Sequence, residues 1–169
     1  GRLILSAANA ISGTTTVTAG QLALHDVGAM TQKLILTSTG SVTTGLELRA
    51  DGASSNSIID FSVGTNGGID INGTLISINV DSLTGATRRN TTRLTAPVNI
   101  AAGSNLTIYG GGQGVGGNTQ LTGADLWSAR PGSGYRLLLS GPMSLTGSSG
   151  SITFTTFGAE LEISGNITD

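Results

Sequence analysis

Gly1-Arg-Leu-Ile-Leu-Ser-Ala-Ala-Asn-Ala-Ile-Ser-Gly-Thr-Thr-Thr-Val-Thr-Ala-Gly-Gln-Leu-Ala-Leu-His25 is the stretch whose reading decides the fold. It holds three short runs of alternating apolar and small polar residues: Leu3 and Leu5, Thr15 to Val17, then Leu22 and Leu24. Gly13 and Gly20 punctuate them. Alternation gives each run one face to bury, and a chain that turns this often is strand and turn, not helix. The rhythm continues in Leu34-Ile-Leu36, Leu46-Glu-Leu48, Ile58 to Val63, Ile69-Asp-Ile71 and Leu75 to Val80. Later runs are Val98-Asn-Ile100, Leu106 to Tyr109, Arg136 to Leu139, Ser151 to Phe154 and Leu161-Glu-Ile163. Positions 22, 34, 46 and 58 fall 12 apart. Such recurrence marks a repeat architecture.

Composition supports an all-β chain. Among 169 residues there are 27 glycines, 43 serines and threonines, and a single lysine, Lys33. Strong helix formers are therefore scarce, while Thr, Val and Ile favour strands and Gly, Asn and Ser favour turns. Aromatic residues make up only 4%, so the interior is expected to be built from layers of Leu, Ile and Val. A net charge of −2 offers no basic face for nucleic acid. Without cysteine, neither disulfides nor thiolate metal sites can contribute. No apolar run approaches the ~18 residues needed to cross a bilayer, so no membrane insertion by this segment is expected. No signal peptide is visible, and residue 1 already lies inside a repeat, which reads as a processed or fragmentary chain.

A sandwich, a barrel or a coil of parallel strands could each use this pattern. Sandwiches rely on hairpins, for which Asn72-Gly73, Asp51-Gly52 and Asn66-Gly67 are the two-residue turn candidates. The Ser/Thr excess favours a solenoid, in which equivalent positions stack and hydroxyls can ladder outside. With about 20 residues per coil, residues 1–169 form one β-solenoid segment of roughly eight rungs. At ~4.8 Å per rung that is a rod of about 40 Å. Two stretches break the rhythm and are expected as loop insertions, near 84–93 and 110–135: the polar Thr84 to Arg93, and the glycine-rich Gly110 to Asn118 followed by Trp127.

The opening segment resembles the autotransporter-associated β-strand repeat of bacterial passenger proteins. The pattern of glycine, Leu-x-Leu, Asn, aromatic, Gly, Thr-x-Val, Gly, Leu-x-Leu lands on Gly1, Leu3, Leu5, Asn9, Gly13, Thr15, Val17, Gly20, Leu22 and Leu24. The chain departs at Ala7, where the family has glycine, and at Ile11, where it has tyrosine. Looser echoes run from Leu137 to Gly147 and from Leu161 to Ile167. The resemblance implies a right-handed parallel β-helix on long secreted or surface-anchored chains, used as a stalk and with no single activity.

Candidate sites are few. His25 is the only histidine, which rules out a multi-histidine metal site, and it reads as a solvated turn residue. Gly112-Gln-Gly-Val-Gly-Gly117 spells a dinucleotide fingerprint but lacks the helix that must follow it, so no cofactor is expected. Asp60 and Asp70 alternate with Ile59 and Phe61, and with Ile69 and Ile71, and so should point to solvent. With Glu47 they could form a shallow acidic patch; Asp51 and Asp81 complete the set weighed for acid–base work or calcium. Solubilising charge that discourages sheet aggregation is the plainer role. Gly67-Gly-Ile-Asp70 resembles a calcium-binding nonapeptide only faintly, with no second copy. Asn72, Asn90, Asn105 and Asn166 begin glycosylation-type triplets. Arg88, Arg89 and Arg93 could grip anionic glycans or a neighbouring subunit, or simply solvate a loop. Trp127 and Tyr135 could stack on sugars, fill an interface, or pack a loop.

The expected protein is thus a structural, non-catalytic, extracellular solenoid of a bacterial surface fibre, sheath or passenger stalk. Coil ends without caps favour head-to-tail self-association into filaments. An adhesin that binds surface glycans is the alternative, and a polysaccharide-cleaving enzyme the more distant one.

Overall fold

The computed structural model describes residues 1–84, 89–110, 135–147 and 150–169. Among them are sixteen strands and no helix, and every strand pairing is parallel. The chain makes six passes. The first two have two strands each, β1 (Arg2–Leu5) and β2 (Thr15–Val17), then β3 (Gly20–Leu24) and β4 (Gln32–Thr37). Three-strand passes follow: β5 (Thr44–Arg49), β6 (Ile58–Phe61) and β7 (Asn66–Asn72), then β8 (Ile76–Asp81), β9 (Thr91–Leu94) and β10 (Val98–Ala101). The last two are β11 (Asn105–Gly110), β12 (Tyr135–Leu139) and β13 (Met143–Thr146), then β14 (Thr153–Phe157), β15 (Ala159–Ile163) and β16 (Ile167–Thr168).

The first strands of the passes pair as sheet 1, in the order β1-β3-β5-β8-β11-β14. The last strands form sheet 2, β2-β4-β7-β10-β13-β16, and the middle strands form sheet 3, β6-β9-β12-β15. This cyclic order is consistent with a parallel β-solenoid. The 12-residue spacing of positions 22, 34, 46 and 58 therefore separates consecutive strands, which lie in different sheets, and not equivalent positions of successive passes. Equivalent positions lie farther apart. Leu3 pairs with Leu22, but Leu46 pairs with Ile78 and Ile78 with Ile108. Because a three-strand pass uses more chain than the assumed 20 residues, six levels form among the described residues instead of roughly eight.

Register sorts the side chains into columns. In sheet 1 Leu3, Leu22, Leu46, Ile78 and Ile108 lie one above another, and in sheet 2 so do Leu34, Ile69, Val98 and Met143. Phe61, Leu94, Leu139 and Ile163 do the same in sheet 3. One apolar cluster joins the inward columns of all three sheets. Aliphatic residues suit it because β-branched and leucine side chains pack on a pleated surface at the strand spacing.

The turn from sheet 2 to sheet 1 is laddered by buried polar groups. Leu75 N–H donates to Ser38 Oγ (3.0 Å), and Gly73 N–H donates to Ser104 Oγ (3.1 Å). Gly73 is needed there: its φ is 132°, and a Cβ would collide with Ser38. Neither Asn66-Gly67 nor Asn72-Gly73 makes a hairpin. The former opens β7 at a bulge opposite Lys33, and the latter enters the stacked turn. Thr91 to Arg93, expected within an insertion, begin β9 instead, while Gly110 and Tyr135 are strand residues bounding the second expected insertion. Both insertions, with residues 50–57, connect sheet 1 to sheet 3.

Leu46 is 1% exposed between Leu22 and Ile78. Leu46→Ala should therefore lower stability by about 2–5 kcal/mol in urea denaturation. Ile58→Ser, at a 57% exposed edge, should stay within about 0.5 kcal/mol of wild type.

Candidate functional site

An alternating strand normally has one wet face, yet every residue of β5 is buried. Its inward residues Leu46 and Leu48 belong to the core, so Glu47 and Arg49 must be covered from outside. Register supplies the cover. Glu47 lies beside Ala23 on β3 and Asn79 on β8, and Arg49 lies beside Asp81. Ala23 is too small to separate its neighbours, and Arg2 reaches across from β1 to hold Glu47 Oε1 at 2.5 Å. Arg49 Nε stands 3.6 Å from the same oxygen and donates to the Ser82 carbonyl at 3.1 Å. Its Nη2 lies 3.9 Å from Asp81 Oδ2.

His25 follows β3 directly and places Nε2 3.5 Å from Glu47 Oε1 and 3.4 Å from Arg2 Nη2. It is not the solvated turn residue expected, because its side chain is only 13% exposed. Burial lowers its pKa from the ordinary value near 6.5 and Arg49 and Arg2 act in the same direction, while Glu47 opposes them. Glu47 likewise leaves the expected acidic patch: at 1% exposure it is the anionic centre of a nearly neutral cluster.

The remaining carboxylates lie on other faces. Asp60 is exposed on sheet 3 and paired in register with Arg93, whose Nη2 donates to Oδ2 at 2.7 Å. That hydrogen bond holds Asp60 below its usual carboxylate range. Asp70, on sheet 2, takes Lys33 at 2.7 Å and the Asn99 amide at 2.8 Å. Both aspartates face outward as expected, but three different sheets carry Glu47, Asp60 and Asp70, so no shared patch forms. Asp51 accepts from the backbone N–H groups of Leu83 and Thr84 and ties two corner connections together. No group of three His, Asp or Glu side chains suited to a metal ion occurs among the described residues.

Arg89 is exposed with φ at 58°, and Arg93 is engaged by Asp60. Arg88 and Trp127 lie outside the described residues, as does all of the fingerprint-like glycine run. Tyr135 is buried at 6% exposure and its hydroxyl donates to Ser82 Oγ at 3.1 Å, which is the loop-packing role and not a sugar platform. Desolvation raises its phenol pKa.

The Glu47 cluster escapes a strand-by-strand reading. Its signal is the alignment of Leu46-Glu-Leu-Arg49 with Ile78-Asn-Val-Asp81, which puts Arg49 opposite Asp81 once the strands are stacked in parallel. Comparison of the chain with protein-family models, with curated proteins and with solved structures gives no match, so the site rests on its own geometry.

Removing one member of a buried charge cluster leaves the others unpaired. Glu47→Gln should cost about 3–5 kcal/mol in urea denaturation, far more than the ~1 kcal/mol or less expected for Asp60→Asn at its exposed pair. A second effect concerns pH. The folded state resists protonating His25, so the unfolded chain binds more protons once the pH falls below about 6.5. Stability should therefore decline from pH 7.5 to 5.5, and His25→Gln should remove that part of the slope.

Proposed function

We propose that the chain is a stretch of right-handed parallel β-solenoid serving as a non-catalytic scaffold in an extracellular bacterial fibre, sheath or passenger stalk. Parallel crossovers are almost always right-handed, because a twisted strand packs its return connection that way. The extracellular placement rests on the resemblance of residues 1–24 to the autotransporter-associated repeat. The scaffold reading is carried by one observation: apolar columns stack from pass to pass, as Leu3, Leu22, Leu46, Ile78 and Ile108 do in sheet 1 and Leu34, Ile69, Val98 and Met143 in sheet 2.

Leu3 heads the sheet 1 core column and is 59% exposed, and Ile167 ends the sheet 2 core column at 54%. Unpaired strand edges beside such residues are templates for further pairing. Further passes of a longer chain would cover them in one setting. Between separate copies of residues 1–169, the two ends meet head to tail, and a heterologous contact of this kind extends into a filament.

Light scattering coupled to size exclusion should show concentration-dependent assembly of residues 1–169, with rods in electron micrographs. Leu3→Lys puts a charge on an exposed edge and should block assembly while leaving circular dichroism unchanged. Compact monomers at every concentration would defeat the self-association reading.

A further inference from the structure

Sheet 1 has a second outward column, headed by Arg2 and continuing through Gln21, Gly45, Ser77, Thr107 and Thr155. It runs along the stack, one residue per strand, with a spacing of ~4.8 Å. At Gly45 a Cβ would lie 2.9 Å from Ser77 Oγ and 3.2 Å from Gln21 Cγ, so the missing side chain lets these two neighbours close over the backbone. Beside this column lies a shallow groove of about 170 Å³ lined by Gln21, Thr43, Thr74, Ser77, Thr107 and Tyr109, among others.

Three independent features give this groove a ligand chemistry. The first is aromatic. In a chain with only six aromatic residues, Tyr109 and Phe157 both point outward, next to each other in register. Their rings stack at 5.5 Å with an interplanar angle of 12°, and Phe157 is 46% exposed. An outward aromatic stack beside a polar trough offers an apolar flat surface at a wet site. The second is unspent hydrogen bonding. Gln21 Oε1, in the groove lining, is buried without a partner. Buried polar atoms of this kind are rare in folded proteins. The third is charge. The groove lining includes no carboxylate, guanidinium or ammonium group, and the nearby charges of Arg2, Glu47, Arg49 and Asp81 are engaged with one another.

A peptide strand does not fit this chemistry. Strand addition needs free backbone donors and acceptors, and β5, β8 and β11 are already paired on both sides. What the face offers is hydroxyls, amides and a ring, repeated at one strand spacing. An extended polysaccharide presents the matching set: sugar faces to stack, and equatorial hydroxyls at a comparable advance per residue.

We propose that this groove binds a neutral, extended oligosaccharide lying along the stack, with one sugar ring against the Tyr109–Phe157 pair and hydroxyls bonded by Gln21 and Ser77. The site does not depend on end-to-end association.

The test is calorimetric and NMR titration of residues 1–169 with cellohexaose, xylohexaose, maltohexaose and a β-1,3-linked glucohexaose, with a galacturonate hexamer as the anionic control. At least one neutral hexaose should bind saturably, and the anionic one at least tenfold more weakly. Tyr109→Ala should weaken the neutral complex at least tenfold, whereas Tyr109→Phe, which keeps the ring, should stay within threefold of wild type. Ser77→Ala removes one groove hydroxyl and should weaken binding several-fold without moving the thermal midpoint, which keeps the test valid should Tyr109→Ala unfold. Failure of all four neutral hexaoses to bind folded wild-type protein overturns the proposal. So does equal binding by Ser77→Ala and wild type, or preference for the galacturonate hexamer.

Discussion

Parallel pairing in register is the constraint on which everything else here depends. Once a strand lies on its equivalent from the previous pass, each residue acquires two fixed neighbours above and below, and the sequence must satisfy them column by column. Inward columns answer mainly with Leu, Ile and Val, with Phe61 and Met143 among them. Outward columns cannot stack like charges without repulsion, and they do not: Asp60 meets Arg93, Arg49 meets Asp81, and Arg136 meets Glu160. Even the turns obey the rule, since Ser38 accepts from Leu75 and Ser104 from Gly73 across neighbouring passes.

Sheet 1 shows what happens when an outward column is also buried. Glu47 and Arg49 are drawn out of water, and their desolvation is offset by ion pairs and by hydrogen bonds such as that from Arg49 to Ser82. The cluster ties four passes together, because Arg2 reaches past β3 to β5 and Arg49 bonds Ser82 and faces Asp81 on the next pass. Sheets 2 and 3 keep their pairs at the surface, where solvent screening makes each worth little. Sheet 1 is therefore the face on which outward side chains are specified most tightly, and the groove beside Tyr109 lies there.

Much of the architecture was legible in residues 1–25 because alternation and glycine spacing are local signals. Strand positions such as Leu34 to Leu36 and Ile69 to Ile71 could be read for the same reason, as could the outward direction of Asp60 and Asp70. Pass length could not. The 12-residue rhythm is equally compatible with two or three strands per pass, and only long-range pairing decides that Leu46 sits on Ile78. The same gap hid the site. Glu47 looks solvent-facing within its own strand, and its burial comes from Arg2 and His25, brought beside it by pairing, together with Arg49 two residues along the same strand. β9 was missed because Thr91-Thr-Arg-Leu94 is polar, although Thr92 and Leu94 face inward.

The connections from sheet 1 to sheet 3 differ widely in length, from the single residue Gly158 to residues 111–134, while the strands on either side stay in register. Pairing is thus insulated from whatever chain leaves at that corner. Such a corner behaves as an evolutionary docking port: sequence can be lengthened, shortened or exchanged there without renegotiating the core. A fold with one permissive corner and two strict ones can acquire new surface chemistry while its spine stays constant.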